Sequence, residues 1–134
     1  MHHPWRALRA LSDWTLTVSD LPAGMRGRTH WPSRTITLRP GLNQAQRRSV
    51  LAHELLHVER GPVLIGWQCQ EEHRVRVLTA RRLIPLDRLI DAARWSLDVH
   101  EMADELWVDV SVLRDRLGSL SPWELDVIVL ALDR

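Results

Sequence analysis

The stretch that most constrains this chain is Ser49-Val50-Leu51-Ala52-His53-Glu54-Leu55-Leu56-His57-Val58-Glu59, which carries His-Glu-x-x-His inside a run of helical periodicity. Residues four apart on an α-helix stack on one face, so His53 and His57 can point at one ion. Glu54 lies about 100° round the helix from His53, within reach of a water held on that ion. The chemistry needs this spacing: two neutral imidazoles on one turn hold zinc, and the adjacent carboxylate takes a proton. So short a pattern also arises by chance on an amphipathic helix, and the residues C-terminal to it decide its meaning.

A catalytic zinc takes three protein ligands and keeps one position for water. The third ligand is therefore expected on another element packed against the first helix. Glu71-Glu72-His73 offers it, at the start of a second helix read over Glu71 to Ile84 and stopped by Pro85. An acidic pair at a helix N-terminus also has a bland explanation, since the macrodipole favours carboxylates there. Glu59 is a poor ligand, because it lies about 200° round the helix from His57.

The rest of the chain reads as α+β. Residues 5–13 have the weak three-to-four spacing of a short opening helix. Trp14–Val18, Gly27–Trp31 and Arg34–Leu38 have strand character, with a turn at Leu21-Pro22-Ala23-Gly24 and a tight connection at Pro32-Ser33. Together they predict a small three-stranded antiparallel sheet. Asn43 is a good N-cap for the His-Glu-x-x-His helix, whose buried stripe is Leu51, Leu55 and Val58 with Leu56 beside them, and Gly61-Pro62 ends it. In the second helix Val75, Leu78 and Arg82 share one side. Pro85 opens a short helix over Leu86–Ala93. Helices at His100–Leu106 and Val110–Leu117 flank a break at Trp107-Val108-Asp109, and Ser121-Pro122-Trp123-Glu124 is a capping box for a last helix. The expected organisation is one compact unit over 1–134: an N-terminal helix and sheet at 1–42, zinc-site helices at 43–93 and an acidic helical tail at 98–134.

Composition narrows the function classes. No window approaches the roughly 20 apolar residues of a membrane span, and Met1–Arg6 lacks the apolar core of a signal peptide. The one cysteine, Cys69, makes no intramolecular disulfide, which fits a reducing cytosol. The cytoplasm is the expected location. All 18 basic residues are arginine, and Phe and Tyr are absent beside seven Trp, a codon signature of a high-GC genome. Without Tyr, no phenol can stabilise an oxyanion; His30, His73 and His100 remain as candidates. Charge is uneven: residues 1–53 hold eight Arg against Asp13 and Asp20, and residues 98–134 hold three Arg against nine acids. The basic half is scattered rather than clustered, so attraction between the two ends explains it better than nucleic-acid binding does. The two short helices about the break at 107–109 have the outline of a helix-turn-helix, yet the second offers only Arg114 and Arg116 beside Asp109 and Asp115. A DNA-reading helix wants more positive charge than that.

His53-Glu54-Leu55-Leu56-His57, Glu72-x-x-Val75 and Ala80-Arg81-Arg82-Leu83-Ile84-Pro85, in that order, resemble the ImmA/IrrE family of metallo-endopeptidases, and Met102–Asp109 resembles its C-terminal helical segment. The resemblance spans roughly residues 12–120. It implies a zincin-like peptidase fold with bound Zn²⁺, His53, His57 and Glu72 as metal ligands (register counted back from Pro85, with Glu71 as the alternative) and Glu54 as the catalytic base. It also implies a substrate class, since relatives cleave or relieve helix-turn-helix repressors of phages or mobile elements. Two departures stand out. Arg76 occupies a position where the family often has Asn or Asp, and Val75 replaces its Ala. An arginine facing inward would repel the metal. It therefore either turns outward, leaving an acid such as Asp87, Asp91 or Asp98 to orient a histidine, or weakens the site. A strand at 27–31 or 35–38 is expected at a sheet edge beside the site, able to take substrate by strand addition. The competing reading is a non-catalytic regulatory module that binds a repressor or DNA, with a structural or vestigial metal site.

Overall fold

The computed structural model describes residues 2–133, and its first elements are α1 (Pro4–Arg9), β1 (Thr15–Val18), β2 (Gly27–His30) and β3 (Thr35–Leu38). The remaining helices are α2 (Gln44–Arg60), α3 (Gln68–Leu83), α4 (Leu86–Trp95), α5 (Val99–Leu106), α6 (Val110–Gly118) and α7 (Pro122–Leu132). The α+β class holds, but the sheet is mixed rather than antiparallel. Its order is β1-β3-β2, with β1 parallel to β3 and β2 antiparallel to it. The reason is burial. Ile36 and Leu38 are fully buried against Leu51 and Leu55 of α2, whereas β1 and β2 stay largely exposed. The most buried strand takes the centre, and the long segment from Ser19 to Arg26 lets the chain pass to the far edge before the β2–β3 turn brings it back. Only a directly connected pair is bound to run antiparallel. Thr17 and Thr37 share a 3.0 Å hydroxyl contact across the parallel pair.

Helix α2 begins at the cap anticipated from Asn43. The Asn43 side chain accepts from the Gln46 N–H at 2.8 Å, and the Gln46 side chain accepts from the Asn43 N–H at 3.0 Å. Its buried residues spread round the helix rather than forming one stripe. Leu51 and Leu55 join the sheet core, and Ala52 joins a second core built with Leu83, Ile84, Leu89, Met102, Leu106 and Leu113. A helix buried on two sides leaves its remaining strip for chemistry. In α3 the buried side is Val75, Thr79, Ala80 and Leu83, and Leu78 faces out.

Two of the ties that hold the acidic tail are buried or partly buried. At the α5–α6 corner Trp107 adopts the left-handed conformation (φ 57°), its carbonyl accepts from Arg48 Nη1 at 2.9 Å, and the Asp109 N–H donates to Ser49 Oγ at 3.1 Å. Arg116, 2% exposed, donates through Nε to the Ile84 carbonyl at 2.7 Å and through Nη2 to Glu124 at 2.6 Å. Glu124 also closes the capping box of α7 and accepts from Arg81. One of the two arginines available to a DNA-reading α6 is thus consumed inside the fold. No helix among the described residues is long and apolar enough to cross a membrane.

Arg116 and its partners hold the Glu124 carboxyl far below the usual carboxylate range. Its contribution to stability is complete above an unfolded value near 4.3 and declines as pH falls toward the folded value. Glu124→Gln is expected to cost about 3 kcal/mol at pH 7 by urea unfolding, because it strands a buried guanidinium. The loss should shrink when the same measurement is made at pH 3.

Candidate metal centre

The strip of α2 left outside both cores carries His53 and His57, each about one-fifth exposed. Their Nε2 atoms lie 3.2 Å apart. Glu72, on the first turns of α3, places Oε1 2.7 Å from His53 Nε2 and Oε2 2.8 Å from His57 Nε2. The three groups form a cluster able to hold one metal ion. Two nitrogens each about 2.0–2.1 Å from a tetrahedral centre lie about 3.3 Å apart, so the imidazole pair has the spacing of such a centre. The donor set, two imidazoles and one carboxylate, is one that catalytic zinc takes. The residues present therefore fit the ion that the sequence implies. The electrostatics agree. Hydrogen bonds from His53 and His57 hold the Glu72 carboxyl well below its ordinary range. Burial disfavours protonated His57, but the bond to Glu72 and the fields of Glu54, Glu72 and Glu71 outweigh it and raise its pKa.

Arginine clamps explain why Glu72 and not its neighbour arrives there. Arg60 at the end of α2 binds both Glu71 oxygens at 2.8 Å, and Arg82 binds both Glu59 oxygens at 2.9 and 3.0 Å. Two of the carboxylates near the motif are thus spoken for, and the rotation of α3 that suits both clamps turns Glu72 toward the histidines. Bidentate pairs of this kind fix geometry as well as charge.

Glu54 is buried (6% exposed) and faces β2. Thr29 donates its hydroxyl to Glu54 Oε2 at 2.6 Å. Gly27 makes room: a Cβ there would overlap Val50 Cγ1 and come within 3.1 Å of Glu54 Cγ and 3.2 Å of Oε1. Neither residue stands out in the sequence as a site residue. A glycine inside a strand pattern is the available signal, since it marks close approach of another element; Thr29 gives none.

A cavity of about 950 Å³ opens over the cluster. One wall is the segment Ala23–Thr29 with Trp31, the floor is α2 and α3, and the opposite wall is α6 from Asp109 to Asp115. Arg26 and Asp109 meet across it at 3.0 Å. Of the strands expected at a sheet edge, only β2 is one; residues 35–38 are the central β3. His30, His73 and His100 are exposed and none lines the cavity; His30 instead contacts Ser33 Oγ at 2.7 Å. Arg76 does line it, but reaches α6, where Nε and Nη2 bind Asp115 at 3.3 and 2.8 Å. Its charge beside Glu72 is compensated by a carboxylate from the tail. Asp87, Asp91 and Asp98 lie away from the cavity, and Asp98 caps α5.

Two measurements check this geometry. Glu72→Ala should abolish stoichiometric zinc in elemental analysis of the purified protein, whereas Glu71→Ala should retain it. Gly27→Ala should destabilise the chain by about 1–3 kcal/mol in denaturant unfolding, because β2 or the stiff Val50 has to shift.

The family model Peptidase_M78, described as an IrrE N-terminal-like domain, matches residues 14–117. No curated protein and no solved structure matches the chain. The match runs from the residue before β1 to the last turn of α6, and so takes in the sheet, the histidine pair, Glu72 and the cavity walls. The chain belongs to the IrrE-like peptidase family and carries a metallopeptidase-type domain.

Proposed function

We propose that this protein is a zinc-dependent endopeptidase of the cytoplasm, with His53, His57 and Glu72 as zinc ligands and Glu54 as general base. The observation that carries the reading is the meeting of three ligand-type atoms within 4.8 Å of one another, on the floor of an open cavity and beside a buried glutamate. Zinc bound there polarises the scissile carbonyl and lowers the pKa of water toward about 7. The chain's own residues do the rest. Glu54, held by Thr29, accepts the proton of the attacking water and returns it to the departing amine. β2, at the sheet edge along the cavity wall, accepts the substrate as an added strand. A segment held extended presents its carbonyls in a row, which suits an endopeptidase.

The substrate class comes from the family resemblance: a helix-turn-helix repressor of a phage or mobile element, encoded beside the protease. Incubating the zinc-loaded protein with the repressor encoded next to it should yield discrete fragments by mass spectrometry. Glu54→Gln should lower the rate by at least about 100-fold with zinc content unchanged. No cleavage by the wild type, or equal cleavage by the variant, would sink the catalytic reading.

A non-catalytic binder remains the second reading, because Arg76 stands in the cavity where the family often carries Asn or Asp. A shift of adjacent DNA in gel electrophoresis that survives His53→Ala would favour it. Burial of Arg116 counts against α6 as the DNA-reading helix.

A further inference from the structure

A peptidase of this kind needs a donor for the carbonyl oxygen of the scissile bond as that oxygen takes negative charge. The chain has no tyrosine, and His30, His73 and His100 do not line the cavity. Several cavity donors are already engaged. The Thr29 hydroxyl goes to Glu54 and the Ser111 hydroxyl to Asp109. Arg26 and Arg28 belong to the Ala23–Thr29 wall, the same one that holds Glu54.

Arg76 differs from all of these. It lies four residues beyond Glu72 on α3, so the two share a helix face with Cβ atoms about 5–6 Å apart. Its side chain is half exposed and lines the cavity. A guanidinium carries five N–H donors, and Asp115 engages Nε and one Nη2 hydrogen, leaving both Nη1 hydrogens and the second Nη2 hydrogen. Asp115 thereby fixes the plane of the group and offsets its charge beside the metal cluster without using up its donors. The base is anchored to β2 and the guanidinium to α6, so they stand on different walls. Water arriving from the Glu54 side drives the carbonyl oxygen away from that side.

We propose that Arg76 is a catalytic residue that donates to the scissile carbonyl oxygen, with Asp115 as the positioning residue that holds it. The assignment rests on the peptidase reading above. A donor of this type is present in the resting site and needs no reorganisation as charge develops, which is the condition for a large effect on rate. It also turns the departure at position 76 from an obstacle to metal binding into a replacement for the missing phenol.

The test uses the zinc-loaded full chain and N-phosphoryl-Leu-Ala, whose tetrahedral phosphoryl group imitates the carbonyl carbon under attack. Binding is read by isothermal titration calorimetry and zinc occupancy by elemental analysis. Arg76→Gln should keep one zinc per chain and bind the phosphoryl dipeptide about 100-fold more weakly, with Arg76→Lys intermediate. Asp115→Asn should lose less than about tenfold, because Arg76 keeps its donors. In repressor cleavage, Arg76→Gln should lower kcat with little change in KM. Unchanged phosphoryl binding by Arg76→Gln overturns the proposal. So does loss of zinc from that variant, which would make Arg76 a support of the metal cluster. An equal loss in Asp115→Asn also overturns it, since it would show that the pair merely braces α3 against α6. If the zinc-loaded wild type does not bind the phosphoryl dipeptide, the peptidase reading fails first and this assignment with it.

Discussion

The register of α3 against α2 is the constraint on which the rest depends. Glu72 reaches the two histidines because α3 lies at one rotation and one height against α2, and Arg60–Glu71 and Arg82–Glu59 set both. Neither pair is deeply buried, and exposed ion pairs contribute little stability. Their value here is geometric: both brace α3 against α2, and the Arg60 clamp also holds Glu71, the competing carboxylate, away from the histidines. Behind them, Val75, Ala80 and Leu83 seal α3 into the interior. Val75 is fully buried there.

Charge organises the second half of the molecule around that pair of helices. The acidic tail meets arginines, but mostly those of the middle of the chain. Asp115 takes Arg76, Glu124 takes Arg81 and the tail's own Arg116, and among the described residues Asp109–Arg26 is the ion pair that joins the tail to the basic N-terminal half, where Arg48 also donates to the Trp107 carbonyl. The expected attraction of the two ends is therefore realised in part. Its consequence is local. α6 is drawn alongside α3 to form the far wall of the cavity, opposite the β2 wall that carries Gly27 and Thr29.

Much of the site was legible in the sequence because much of it is local. His53, Glu54 and His57 sit on one helical turn and a half, and that spacing survives in any fold that keeps the helix. Asn43 with Gln46, Ser121 with Glu124, and Pro85 mark helix ends through contacts within a few residues, and those ends lie where the pattern put them. The preference for Glu72 over Glu71 was not local in this sense; it came with the family resemblance, whose motif is counted back from Pro85. The strand order was not legible. β1 and β3 share one Thr-apolar-Thr-apolar pattern in sequence, and only competition for burial against Leu51 and Leu55 placed β3 rather than β1 at the centre. The candidate donors at His30, His73 and His100 had nothing to separate them in one dimension, and the chain folds with all three off the cavity.

What the sequence by itself determined is a helix presenting two imidazoles and a carboxylate, and a neighbouring helix bearing a third ligand type. Both arise from backbone periodicity, which acts over a few residues. Tertiary structure alone decided the partners of Glu54, the destination of Arg76 and the makeup of the cavity walls. Thr29 and Gly27 meet Glu54 from a strand some 25 residues away along the chain, and Asp115 meets Arg76 from 39 residues away. Such contacts depend on how two cores pack around α2, and no local spacing encodes that.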